Sequence, residues 1–348
     1  MLDKILAYDN LKSLIMIITA GLLMSAASLN AAGRIAPEVN ELSKKIKAIS
    51  DEKLEYGKKI AEFTVGTEEN QIGLLRSADN AVPYGMFNGP SSFFMDNDEV
   101  LYVVDCVNHK VTVFDGKKEF SFIKSINYFT DKEHVSLITD IFAAKDGSVY
   151  LADTKNKSAV KFSSLGMPEM VFGAPVKDKF NGLKQADEIS ADNDGNVYVR
   201  DYSQEKIFKF SPDGKFAGEM NSNSCLYFNK KNENPMYQFD AESKSWKLYF
   251  EKSGVEITRF IHEIKKESPE QNMQIIGLDK SSNIYVKIFK QGKITVLKLS
   301  SEGKLLAEYK GHNDPGFDMT RYFFVNPVKE TVYAVRYNKK NIEINELR

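Results

Sequence analysis

Asp192-Asn-Asp-Gly-Asn-Val-Tyr-Val-Arg-Asp201, followed by Tyr202-Ser-Gln-Glu-Lys-Ile-Phe-Lys-Phe210 and Ser211-Pro-Asp-Gly-Lys-Phe216, alternates tight turns with short strands. Asp194-Gly195 lies between runs of β-branched and aromatic residues, which is hairpin chemistry because glycine tolerates positive φ. The tyrosine that follows serves as a ruler. Tyr102, Tyr150 and Tyr198 stand 48 residues apart, and Tyr237, Tyr285 and Tyr333 repeat that interval after one shortened step of 39. Nine residues before each tyrosine come Phe93, Ile141, Ile189, Phe228, Ile276 and Phe324, all large and apolar. Six copies with a period near 50 and several strands each predict an all-β, six-bladed β-propeller.

Most copies carry a fourth strand, such as Lys215–Met220 and Lys304–Tyr309, but the last does not. Lys59-Ile-Ala-Glu-Phe-Thr-Val65 precedes the first copy and supplies a candidate. The expectation is a strand over about 59–65 that completes the last blade and closes the ring, so that no long sheet edge is left open. Residues 221–235 are read as a strand and a polar turn opening the fourth copy. Residues 262–272 are read as a charged connection overhanging one face.

The repeat resembles the NHL-repeat six-bladed propellers over roughly residues 60–347. Pro90, Asp96, Asp105, Asn108, Lys110, Val111 and Phe114 carry the likeness in the first copy. Asp192, Gly195, Asn196, Tyr198, Asp201, Lys206, Ile207 and Phe210 carry it in the third, while the fourth keeps little beyond Tyr237 and Asp240. The resemblance implies a fold. It does not fix an activity, because such propellers include lactonases, lyases and binding proteins.

With 348 residues, 42% hydrophobic and 11% aromatic, repeats filling most of the chain argue for one large ring. A formal charge of −1 supplies no basic field for nucleic acid. Leu14–Met24 is an apolar run after Lys12, so residues 1–32 read as a secretory signal peptide; an uncleaved anchor is the alternative, though the run is short of the roughly 20 residues a span needs. No further membrane span is expected. Residues 33–57 read as a linker with a short amphipathic helix at 37–55, where Val39, Leu42, Ile46 and Ile49 share a face. The propeller follows from 58 to 348, in a protein expected to be periplasmic or secreted. Cys106 and Cys225 fall on blades facing each other across the ring and are expected to stay unpaired.

Two polar columns are candidates for chemistry. Three residues after the tyrosines come Asp105, Asp153, Asp201 and Asp240, then Ile288 and Arg336. They are either a ring of carboxylates around the channel or, as preferred here, caps that accept backbone N–H groups in their own turns. Ten residues before the tyrosines come Ser92, Asp140, Glu188, Tyr227, Ile275 and Phe323, which alternation places on the channel wall. Asp140, Asp187 and Glu188 there are a candidate binding or divalent-cation site, with Ca²⁺ the fitting ion. Arg321 and Arg336 opposite them would make the mouth bipolar.

His109, His134, His262 and His312 show no metal-ligand spacing, and no nucleophile motif or phosphate loop is present. The preferred reading is therefore an exported propeller without a cofactor that binds a protein, peptide or glycan of the cell envelope through loops on one face. The alternative is a metal-dependent hydrolase or lyase, resembling gluconolactonases, working at Asp140, Asp187 and Glu188.

Overall fold

A computed structural model describes residues 57–74, 89–128, 136–177, 179–252, 256–268, 271–290, 293–313, 321–337 and 341–347. The leader and the 37–55 segment lie outside them. The described residues form an all-β, six-bladed propeller and contain no helix.

The first blade is β2 (Ser92–Met95), β3 (Val100–Asp105), β4 (Lys110–Asp115) and β5 (Ser121–Asn127). The second is β6 (Ile138–Ala143), β7 (Val149–Asp153), β8 (Ser158–Phe162) and β9 (Pro168–Phe172). The third is β10 (Glu188–Ala191), β11 (Val197–Asp201), β12 (Lys206–Phe210) and β13 (Phe216–Asn221). Blade four has β14 (Glu233–Asp240), β15 (Ser245–Lys252) and β16 (Glu256–Lys265). Blade five has β17 (Asn272–Leu278), β18 (Ile284–Lys290), β19 (Lys293–Leu299) and β20 (Leu305–Asn313). Blade six has β21 (Phe323–Asn326), β22 (Thr331–Tyr337) and β23 (Asn341–Glu346). Its outermost strand is β1 (Lys59–Thr64), paired antiparallel with β23 in the register Thr64↔Asn341 to Ala61↔Ile344. Phe63 of β1 packs its ring 4.3 Å from Phe114 of the first blade.

Five of the six ruler tyrosines lie on second strands, while Tyr237 lies on β14, the first of blade four, and the structure supplies a reason for part of the column. A buried phenol needs a partner. Tyr198 donates to Asp192 at 2.8 Å and Tyr285 to Asp279 at 3.1 Å, each aspartate lying six residues upstream. The same Asp192 accepts the N–H groups of Asp194 and Asn196, so one carboxylate sets the hairpin turn and anchors the strand beyond it. The turns need one residue with left-handed backbone. Gly147 and Gly195 take it in the second and third blades, whereas Glu99, Asn232, Ser282 and Glu330 take it elsewhere without glycine.

Blade four departs from the expected pattern. Its 221–235 segment forms no regular inner strand, only a single antiparallel bridge, Ser224↔Met236. Pro235 of β14 accounts for this, because proline has no N–H to give the ladder. The Cys225 carbonyl facing Pro235 accepts from Asn234 Nδ2 at 3.2 Å, and the Ser222 and Ser224 carbonyls accept from Arg200 of β11 in the neighbouring blade, the latter at 2.7 Å. The charged connection expected over 262–272 is shorter than its sequence suggests, since β16 runs to Lys265. Cys106 and Cys225 are both free, and burial pushes their thiols up to about 11 and about 12.

Candidate functional site

The inner strands of a propeller place alternate residues on the channel wall. Near the end where these strands begin, Asp140 of β6 is wholly buried. Its carboxylate accepts the Ser92 hydroxyl at 2.8 Å, the Ile189 N–H at 3.0 Å and Arg321 Nη2 at 2.6 Å. Arg321, itself 9% exposed, also reaches Ile189 O at 3.2 Å. Its guanidinium lies 5.8 Å from the Phe94 ring and 5.4 Å from the Tyr227 ring. This level of the channel holds an ion pair flanked by aromatic rings.

Glu188 belongs to a second pair. Arg200 Nε meets Glu188 Oε2 at 2.8 Å, and the Tyr202 hydroxyl donates to Oε1 at 2.6 Å. Asp187 accepts the Tyr202 N–H at 2.8 Å. Asp140, Asp187 and Glu188 are thus close in the fold but turned to different partners. Among the described residues no three His, Cys, Asp or Glu side chains are grouped to hold a metal. Arg336 stands one strand further out, on β22 across from Glu343 in the ladder.

The column after the tyrosines consists of turn caps. Asp105, Asp153 and Asp201 accept the N–H of Asn108, Asn156 and Gln204 at 3.0, 3.1 and 3.0 Å, and Asp240 accepts that of Glu242 at 2.9 Å.

Burial pushes the Asp140 carboxyl up to about 6, with Arg321 pulling the other way. Burial also raises Asp187 to about 6, against the Tyr202 N–H. Burial disfavours the Glu188 charge too, but Arg200 and Tyr202 outweigh it and the carboxyl sits below its usual range. Between its ordinary value of 3.8 and about 6, Asp140 keeps in the folded chain a proton that the unfolded chain has lost. Its contribution therefore favours folding at low pH and is lost as pH rises through that window. Urea titrations should show the unfolding free energy of wild type relative to Asp140→Asn falling from pH 4 to pH 6 and levelling above about pH 7. A difference that rises across the window would contradict the assignment.

The opposite end of the channel opens into a funnel of about 490 Å³. Its rim is built from the turns between first and second strands, with Asp96, Asp98, Lys145, Asp146 and Asp192 among its residues. Phe94, Phe142, Tyr227 and Phe228 form its walls, and Arg321 stands at its inner end. Phe94 and Phe142 pack with ring centroids 5.2 Å apart. Ser190, on β10, is 3% exposed and also lines it. The sequence reading named Asp140, Glu188 and Tyr227 as channel residues but stopped one step short. Two residues further along each inner strand, the same alternation selects Phe94, Phe142 and Ser190.

No protein-family model matches the chain, and no curated protein matches it. Solved structures do. A member of the DUF4221 family from Bacteroides vulgatus is 11% identical, with TM-score 0.50, covering 84% of this chain and 99% of its own. A streptogramin B lyase is 11% identical, with TM-score 0.47, over 78% and 85%. The calcium-binding protein regucalcin from Agrobacterium tumefaciens is 9% identical, with TM-score 0.45, over 74% and 90%. The likeness is one of fold. At this identity it carries neither chemistry nor ligand to the present site.

Proposed function

We propose that this is an exported binding module, NHL-like in its repeat, which takes a segment of an envelope peptide, protein or glycan into the funnel on the turn face. The observation that carries the reading is the funnel itself. A concave site of this size, with aromatic walls and a few polar groups at its rim and inner end, is the form ligand sites take. The carboxylates at the other end of the channel are already committed to Arg321, Arg200, Tyr202 and backbone N–H groups. Export rests on the apolar run at Leu14–Met24.

Peptide and glycan arrays probed with the mature protein test this. At least one class of probe is expected to bind, and Ser190→Trp, which fills the funnel, to abolish that binding while melting and circular dichroism stay those of the folded protein. Binding that survives the blockage, or none at all, overturns the reading.

A second reading, a hydrolase or lyase, is favoured by one observation. Asp187, with its carboxyl near 6, sits beside the exposed Tyr202 in a range suited to proton transfer at neutral pH. Its divalent-cation form fits poorly with the present side-chain directions of Asp140, Asp187 and Glu188. Metal analysis decides that form: stoichiometric Ca²⁺ or Zn²⁺ lost in Asp187→Ala would favour it, and unchanged melting in chelator would remove it.

A further inference from the structure

We propose that the funnel selects an organic cation, the ammonium or guanidinium of a lysine- or arginine-bearing peptide; this rests on the funnel being the binding site. Four aspartates, Asp96, Asp98, Asp146 and Asp192, line it against one lysine, Lys145. The remaining charge, Arg321, is matched internally by Asp140. The mouth therefore carries a net negative charge.

The carboxylates divide into two kinds. Asp96 and Asp192 are spent on their turns, each accepting two N–H groups through one oxygen, with a tyrosine hydroxyl near the other. Asp98 makes no side-chain hydrogen bond or ion pair among the described residues, and Asp146 uses only Oδ1, on the Ser148 N–H. Both are exposed. Turn contacts explain why the second blade stays free. Asn193 and Asn232 bond the third turn to the fourth, Ser281 and Glu330 bond the fifth to the sixth, and Asn326 and Glu99 bond the sixth to the first. Among the described residues the Ala144–Ser148 turn shares no hydrogen bond with the turns beside it.

A second observation points to a ligand independently of the charges. The Ser190 hydroxyl, nearly all of its residue buried, makes no hydrogen bond among the described residues and lies on the funnel wall. The described residues supply this hydroxyl no partner, so its partner must come from whatever occupies the funnel. An ammonium N–H is such a donor, and the rings between Ser190 and the rim suit its passage. Phe94 and Tyr227 already flank one cation, the Arg321 guanidinium.

Calorimetry with the mature protein tests the proposal, using trilysine amide, triglutamate and maltotriose as probes. Trilysine amide is expected to bind at one site, about five- to tenfold more weakly after Asp98→Asn with Asp146→Asn, and more weakly with added salt. These exposed positions leave the fold intact. Ser190→Trp, or Ser190→Met should the indole disturb folding, is expected to abolish the signal. Trilysine binding indifferent to both sets of substitutions is surface adsorption and overturns the proposal. Triglutamate or maltotriose binding that Ser190→Trp blocks, without trilysine binding, overturns the cation selection while leaving the funnel as the site. No probe responding to Ser190→Trp overturns both.

Discussion

Arg321→Ala is expected to lower the unfolding free energy by about 3–5 kcal/mol, the usual cost of stripping one partner from a buried ion pair. Asp140 is wholly buried, and Arg321 is its only cationic partner among the described residues. Without the guanidinium, the Ser92 hydroxyl and the Ile189 N–H remain as donors to the carboxylate, while the Glu188 charge opposes it. The carboxyl then rises further above its present value of about 6, so the variant is expected to lose most stability at neutral pH and to recover part of it toward pH 5. The double variant Asp140→Asn with Arg321→Met should regain much of the loss, because it leaves no unpaired charge. Urea unfolding of the three variants at pH 5 and pH 7.5 checks this. Equal losses at both pH values, or a double variant no better than Arg321→Ala, would show that the pair matters only as packing.

Arg200→Ala is expected to have a comparable cost, about 3–5 kcal/mol, with a local signature of its own. This side chain neutralises Glu188 and also serves the Ser222 and Ser224 carbonyls where the fourth blade lacks an inner strand. Its removal orphans a buried acid and two backbone acceptors together. Hydrogen exchange should quicken first over residues 222–229 and β14, ahead of global unfolding. Arg200→Lys is expected to rescue only part of the loss, since an ammonium lacks the planar fork that reaches three acceptors. Exchange that accelerates evenly around the ring would deny Arg200 this local role.

Much of the architecture is legible in the chain because the fold repeats its own signals. An aspartate six residues upstream anchors the tyrosine hydroxyl in the first, third and fifth blades, whereas Ala144, Lys231 and Pro327 stand at that position in the others, where the tyrosine column nonetheless persists. Turn residues are less readable: glycine marks the left-handed position in two blades, while Glu99, Asn232, Ser282 and Glu330 hold it elsewhere at roughly 1 kcal/mol of conformational cost. Blade four escapes the reading because Pro235 acts across a hydrogen-bond ladder that no linear pattern displays.

The candidate site follows the same division. Alternation along β6 and β10 places Asp140 and Glu188 on the channel wall. Which cation meets which acid depends on tertiary packing, since Arg321 and Asp140 are separated by 181 residues. The funnel was missed for a different reason. Phe94, Phe142 and Ser190 obey the period of the column two residues before them, but apolar and hydroxyl side chains announce no chemistry until a wall is built around them.

The partnership of β1 with β23 bears on how the molecule assembles. Thr64 meets Asn341, and Phe63 meets Ile342, across almost the full length of the ring. Hairpins within each blade form between near neighbours in the chain, but this one ladder waits until everything between its two strands has found its place, which raises the contact order of the final step. Refolding should accordingly be slow and finish at the sixth blade, while the same late-formed ladder lends the finished protein resistance to coming apart.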